Sequence, residues 1–425
     1  MSFLERVAVG FIAALAVGAL GASCMTSQPN EASSAASARS SASATSAPVR
    51  ASATTSSGPS EPKSAAAASS PASATPTASA PTATTDPRKF ADLVDGLSEP
   101  DTYFFSDNLI SNETSYLQIA EALAKNADST GVYLGVGPEQ NFTYIALSKP
   151  TMAFIVDIRR GNMLLHLLYR AAFEEAESRA HFLALLVGRA APDAANAPDA
   201  SVKDVLALVE KAASSEATFK AAHEKLMKRI TGYGLKLGKE DEKALSDMHK
   251  EFWKGGTQIR FELKENNGRK YPTLAELLEM RSPSGETGGF LATNASFETV
   301  QSLERAGKVV PLVGDFAGEK ALPQLAKYLA AENLTVSVFY VSNVEQYLLE
   351  PKTWAKWVRN VKALPKNDKS LFLRAYLDQG KKHPKQLDGH RTASVLSRMV
   401  DFETSFGDKT TTTLYALSTD KLIAP

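Results

Sequence analysis

The chain has almost no cysteine: Cys24 stands alone in 425 residues. An intramolecular disulfide framework is therefore excluded, and so is any cysteine-rich zinc or iron–sulfur site. Charge of one sign is lacking as well, with 47 basic and 47 acidic residues. That balance argues against a protein that coats nucleic acid and against a polybasic membrane binder. No apolar run is long enough to anchor the chain by itself: Val7 to Leu20 gives fourteen residues, against the roughly 20 that a membrane-crossing helix needs. The sequence shows no G-x-S-x-G elbow, no G-x-x-x-x-G-K loop and no H-E-x-x-H. Its six histidines, at 166, 181, 223, 249, 383 and 390, show no metal-ligand spacing, and His223–Glu224 has no second histidine to complete a zinc motif.

What is there begins with an address. Arg6 precedes the apolar run, and Gly21, Ala22 and Ser23 lead directly into Cys24. This is the layout of a secretory signal peptide over residues 1–23. The small residues before the cysteine resemble a bacterial lipobox, which implies that Cys24 is lipid-modified and opens the mature chain. Export and a lipid anchor in a bacterial membrane are the resulting expectation, with a plainly cleaved signal as the alternative. Residues Met25 to Pro87 are almost entirely Ser, Ala, Thr and Pro and contain no aromatic. Such a segment cannot bury enough apolar surface to offset the entropy of ordering it. It reads as a tether, with an end-to-end distance of roughly 40–50 Å as a flexible coil.

Residues 88–425 hold 32 of the 34 aromatics and read as one neutral globular body. Short, near-continuous apolar runs predict strands covered on both faces. They lie at Gly131 to Val136, Met152 to Ile158, Phe290 to Thr293, Val309 to Val313, Val336 to Val341, Leu371 to Leu377 and Thr412 to Leu417. Between them, apolar residues at three-to-four spacing predict helices, as with Leu165, Leu168, Ala172 and Ala176. Alternation of the two predicts an α/β fold with a seven-strand, mostly parallel sheet. Residues 190–256 interrupt the alternation as a helical insertion, either a lid or a cover for apolar surface. Thr257 to Tyr271, with a turn at Asn266, Asn267 and Gly268, predicts a small hairpin.

The strongest constellation is the turn Gly135, Val136, Gly137, Pro138 through Asn141, followed twenty residues after Gly137 by Asp157 at the end of the second strand. Small residues at a strand-to-helix turn let backbone N–H groups approach a ligand, and an acid after the second strand can accept hydrogen bonds from a ribose. These features, with the polar turn Gly314, Asp315, Phe316 after the fourth expected strand, resemble the class I S-adenosylmethionine-dependent methyltransferase fold, which is Rossmann-like. More closely, Val132 to Tyr144, Met152 to Tyr169 and Val309 to Tyr347 resemble a family of uncharacterised bacterial proteins with that fold. The resemblance implies S-adenosylmethionine as a possible cofactor, held by Gly135, Gly137, Asn141 and Asp157. Tyr133 and Glu139, however, stand where that turn carries an acid and a third glycine, and adenosylmethionine is not expected outside the cytoplasm. The expectation is accordingly a binding or interaction protein with no cofactor and no methyl transfer; an active methyltransferase is the alternative.

Arg159, Arg160, His166, Asp315 and Asn343 fall on the same expected rim. As a pocket they would take a polar or anionic small ligand, with His166 exchanging a proton near neutral pH. Equally, Asp157 could form an ion pair with an arginine and His166 could pack at a helix start. Nucleic acid is not an expected partner, and no residue is assigned a catalytic role.

Overall fold

The computed structural model describes residues 87–104, 106, 108–192, 200–262, 270–378 and 380–424. The expected signal, Cys24, the tether up to residue 86 and the turn at Asn266 to Gly268 lie outside the described residues, and Pro87, expected to end the tether, opens the first helix.

At the centre is a seven-stranded sheet in the order β3-β2-β1-β4-β5-β6-β7. The strands are β1 (Val132–Gly135), β2 (Met152–Asp157), β3 (Val309–Val313), β4 (Val336–Ser342), β5 (Leu371–Leu377), β6 (Thr392–Arg398) and β7 (Leu422–Ala424). β3, β2, β1, β4 and β5 run parallel, while β6 is antiparallel to both of its neighbours. The fold class is therefore α/β and Rossmann-like, as expected. Every residue of β1 and β3 is buried, which is why those strands read as unbroken apolar runs.

Helices alternate with the parallel strands. α1 (Pro87–Leu97) and α2 (Ala120–Asn126) precede β1; α3 (Gln140–Ser148) links β1 to β2; α4 (Arg160–Glu175) and α5 (Arg179–Leu186) follow β2. The expected insertion contains α6 (Val202–Lys211), α7 (Glu216–Thr231) and α8 (Lys239–Gly255). Ser201 and Ser215 start the first two with capping boxes. Leu226, Leu245 and Phe252 are fully buried in the same hydrophobic cluster as Leu168 and Phe154. The insertion is thus a continuation of the core. α9 (Leu274–Glu279) and α10 (Asn294–Arg305) lead into β3, α11 (Ala321–Ala331) into β4, and α12 (Pro351–Ala363) into β5. α13 (Met399–Phe406) and α14 (Leu414–Thr419) lie between β6 and β7.

Two of the expected strands are something else. Phe290 and Leu291 are buried, but Thr293 caps α10 by accepting from Ser296 N–H, so the run ends in a helix start. Likewise Thr413 accepts from Ala416 N–H and starts α14 where Thr412 to Leu417 was expected to be extended. In both cases a threonine cap outweighs β-branched composition. Two strands are missing from the expectation: the short β7 (Leu422–Ala424) and β6, Thr-Ala-Ser-Val-Leu-Ser-Arg, whose polar residues suggest a loop. The hydroxyls of β6 are paired instead: Thr392 and Ser394 with Ser115, and Ser397 with the Arg374 guanidinium. Of the expected hairpin, the described part is a 3₁₀ turn at Gly256–Gln258 and an antiparallel bridge between Arg260 and Thr273.

Candidate functional site

The strand order reverses between β1 and β4, whose next neighbours are β2 and β5. In open α/β sheets the carboxyl end of that switch point is where ligands bind. Gly135 and Asp157 do lie at neighbouring strand ends on this rim: β1 and β2 are parallel, with Gly135 opposite Ile155.

The glycine turn is wound around the side chain of Asn141. Asn141 Nδ2 donates to the carbonyls of Val136, Gly137 and Pro138 at 2.9, 3.0 and 2.8 Å, and its Oδ1 accepts from the Tyr133 hydroxyl at 2.9 Å. A Cβ at Gly135 would lie 2.0 Å from Asn141 Oδ1, so the absent side chain makes room for asparagine. Gly137 has φ +78°, and a Cβ there would meet nothing within 4 Å. Its carbonyl also receives Asn162 Nδ2 at 3.1 Å and faces His166 Nε2 at 2.9 Å.

His166 is buried against the edges of Phe142 and Tyr169. Burial pushes its pKa down to about 4, so the ring is neutral near pH 7 and does not act there as a proton exchanger. With a carbonyl opposite Nε2, that nitrogen carries the proton and Nδ1 is a bare acceptor. Nδ1 of His166 and Oδ1 of Asn162 are both buried without a hydrogen-bond partner.

The rim charges are neutralised within the chain. Arg159 forks onto Asp157, with Nε to Oδ1 at 3.1 Å and Nη2 to Oδ2 at 3.2 Å, and its Nη1 donates to the Ser106 carbonyl. Arg160 forks onto Asp241 of α8 at 2.6 and 2.8 Å, joining the rim to the insertion. Arg170, one turn beyond His166, pairs with Glu174 and lies between the rings of Phe90 and Tyr233. Asp315 accepts from Ala317 N–H, while its own N–H donates to Glu99. Burial and the nearby Glu99 push the Asp315 carboxyl up. Asn343 is half-buried beside Ser342 and offers its side chain to no helix-capping bond. The structure thus gathers Gly135, Gly137, Asn141 and His166 into one cluster. Arg160 points to the insertion, and Asp315 belongs to the Glu99 turn.

The polar heart of the switch point joins Glu139 and Gln140, of the turn the sequence singled out, to residues that sequence reasoning missed: Glu113, Ser111, Tyr144, Tyr340 and Ser342. Glu113, ahead of β1, accepts from Gln140 Nε2 at 2.8 Å and from the Ser342 hydroxyl. Gln140 Nε2 also reaches the hydroxyls of Tyr144 and Tyr340 at 3.0 and 3.1 Å, and Gln140 Oε1 accepts from Ser111 Oγ at 2.5 Å. Glu139 holds the Ser111 N–H with both oxygens, at 3.1 Å each. Burial raises the pKa of both carboxyls, that of Glu139 to about 7, with Glu113 adding a like charge. Ser342, at the end of β4, has φ +51° where the β4–β5 register shifts. A left-handed serine costs about 1 kcal/mol, a strain of the kind that gathers at functional sites. One signal was available: the polar run Glu139, Gln140, Asn141 stands at the start of α3, where side chains would ordinarily face water. Glu113 gave none, lying in an aperiodic segment around Asn112 to Thr114.

Fold and rim together define a doubly wound α/β domain with an acidic, internally hydrogen-bonded switch point. Residues 108–423 match the family model described as a domain of unknown function, DUF7790, and the chain belongs to that family. No curated protein shows a significant match to the chain.

Proposed function

We propose that this is an exported protein, anchored to a bacterial membrane through lipid on Cys24 and held off the surface by the 25–87 tether, whose α/β domain binds a ligand or partner and transfers no methyl group. The anchoring half of the reading rests on the residues before Cys24. The absence of methyl transfer rests on one observation: the groups that would hold S-adenosylmethionine are engaged within the chain. Asn141 fills the glycine turn, and Arg159 forks onto Asp157, the residue matched to ribose binding.

The same pairing bears on the ligand. With Arg159 on Asp157 and Arg160 on Asp241, a polar ligand fits the rim better than a bare anion. The unpartnered acceptors of Asn162 and His166 favour one that donates hydrogen bonds.

Calorimetric titration of the protein with adenosylmethionine and adenosylhomocysteine tests the reading and should give no binding heat. Micromolar binding that disappears in Asp157→Ala would overturn it in favour of the methyltransferase alternative. For the anchor, Cys24→Ser should move the protein from the membrane to the soluble fraction. Continued membrane association with the signal removed would refute it.

A further inference from the structure

The helical insertion brings together two histidines that lie 26 positions apart. His223 on α7 and His249 on α8 face each other with their Nδ1 atoms 3.1 Å apart. His249 is fully buried, and its Nε2 lies 3.0 Å from the Leu185 carbonyl. A carbonyl only accepts, so Nε2 carries the proton and the Nδ1 lone pair is turned toward His223. Metal-binding histidines are oriented in just this way, with the far ring nitrogen donating to a carbonyl. Phe219 lies against both rings, at 5.6 Å from His223 and 5.1 Å from His249, and stacks on Trp253 at 4.7 Å. This aromatic wall restrains the imidazoles, while His223 remains half-exposed and gives solvent access to the pair.

We propose that His223 and His249 form a two-imidazole site for a divalent transition-metal ion of the Cu²⁺, Ni²⁺ or Zn²⁺ type. The spacing is that of two cis ligands. With metal–nitrogen bonds of about 2.0–2.1 Å, two imidazole nitrogens stand about 2.9 Å apart at a right angle, as in square-planar coordination, and about 3.4 Å apart in a tetrahedron. The observed 3.1 Å lies between these values, and with ring centroids 5.3 Å apart the two Nδ1 atoms point nearly along the line that joins them, so the half-exposed His223 ring turns toward the ion on binding. Without metal, His223 Nδ1–H donates to His249 Nδ1. On binding, the His223 proton moves through solvent from Nδ1 to Nε2, and both Nδ1 lone pairs then face the ion with no net change in protonation. No third His, Cys, Asp or Glu joins the pair among the described residues, so water completes the coordination and leaves it open to an exogenous ligand.

The test is titration of untagged full-length protein with CuSO₄ and with ZnCl₂ by calorimetry, followed by electron paramagnetic resonance of the copper form. One equivalent should bind with a dissociation constant in the micromolar range or tighter, the spectrum should show two coupled imidazole nitrogens, and the melting temperature should rise with metal. His223→Ala, at a half-exposed position, should fold normally, as circular dichroism will report, and bind at least tenfold more weakly. His181→Ala should bind as the parent does. Absence of binding, an affinity within twofold of the parent in His223→Ala, or a spectrum with a single nitrogen would overturn the site and leave the pair as a hydrogen bond between two helices.

Discussion

Individual residues at the rim divide into those the turn requires and those it tolerates. At Gly135 a new Cβ would collide with Asn141 Oδ1 at 2.0 Å and with the Tyr133 ring at 2.7 Å. Gly135→Ala should therefore cost about 2–3 kcal/mol in urea unfolding, the usual range for overpacking. Gly137 needs its positive φ but has open space around it, so Gly137→Ala should cost only about 1 kcal/mol. Equal costs would mean that Asn141 does not organise the turn. A second residue-level test concerns Glu345 and Arg374, buried side chains paired at 2.5 and 3.2 Å and joined by Trp357 Nε1 at 3.1 Å. Glu345→Ala strands the guanidinium away from water and should destabilise by about 3–5 kcal/mol. Glu345→Leu combined with Arg374→Met removes both charges and should cost less than either truncation alone, a non-additivity that a double-mutant cycle reads directly.

Among the elements, the insertion is tied to the rim by a clamp from the β2–α4 junction. Asp241 receives Arg160 at 2.6 and 2.8 Å and also accepts from Gly238 N–H at the start of α8. Asp241→Ala removes the clamp and that start signal together. The expected result is a melting temperature lower by about 2–4 °C, corresponding to roughly 1 kcal/mol. Amide exchange should be faster in the first turns of α8 and unchanged in β1 and β2. Equal acceleration in the sheet would mean that the clamp supports the whole domain. The elements also show where local pattern sufficed. β1, β2, β3, β4 and β5 were legible because strands covered on both faces must be apolar throughout. β6 was not, since its Thr392, Ser394 and Ser397 are buried through partners on the segment before α2 and on β5. A strand's own composition carries no trace of partners so distant in sequence.

Across the whole molecule, buried titratable groups set the pH dependence of stability in two opposing ways. His166 and His249 have folded pKa values pushed down by burial to about 4. Their contribution is complete above the unfolded value of about 6.5 and is lost as pH falls toward 4, because the unfolded chain takes up the protons first. Glu113, Glu139 and Glu304 are displaced upward by burial, Glu139 to about 7. Their contribution is complete below the unfolded value of about 4.5 and is lost as pH rises through the folded one. Between roughly pH 4.5 and 6.5 the two limbs oppose each other, and above about 6.5 only the carboxyl limb remains, so stability should fall as pH rises through 7. Thermal melts from pH 3 to 9 should show it, and Glu139→Gln should flatten the decline through pH 7. A maximum above pH 7.5 would contradict the assignment of these carboxyls as buried acids.

The sequence by itself determined the β1–turn–β2 unit, the parallel sheet and the rim on which Gly135 and Asp157 meet, because these follow from apolar periodicity and turn chemistry over spans of ten to thirty residues. The expectations for Cys24 and the tether likewise rest on sequence alone. Only the tertiary structure decided which partner each polar group takes: Arg159 for Asp157, Asp241 for Arg160, Glu113 for Gln140 and Ser342, and His223 for His249. The physical reason is that a buried polar side chain must find its hydrogen bonds among whatever packing brings near it. That neighbour can come from any distance along the chain, whereas the apolar pattern that builds the sheet is read from adjacent residues.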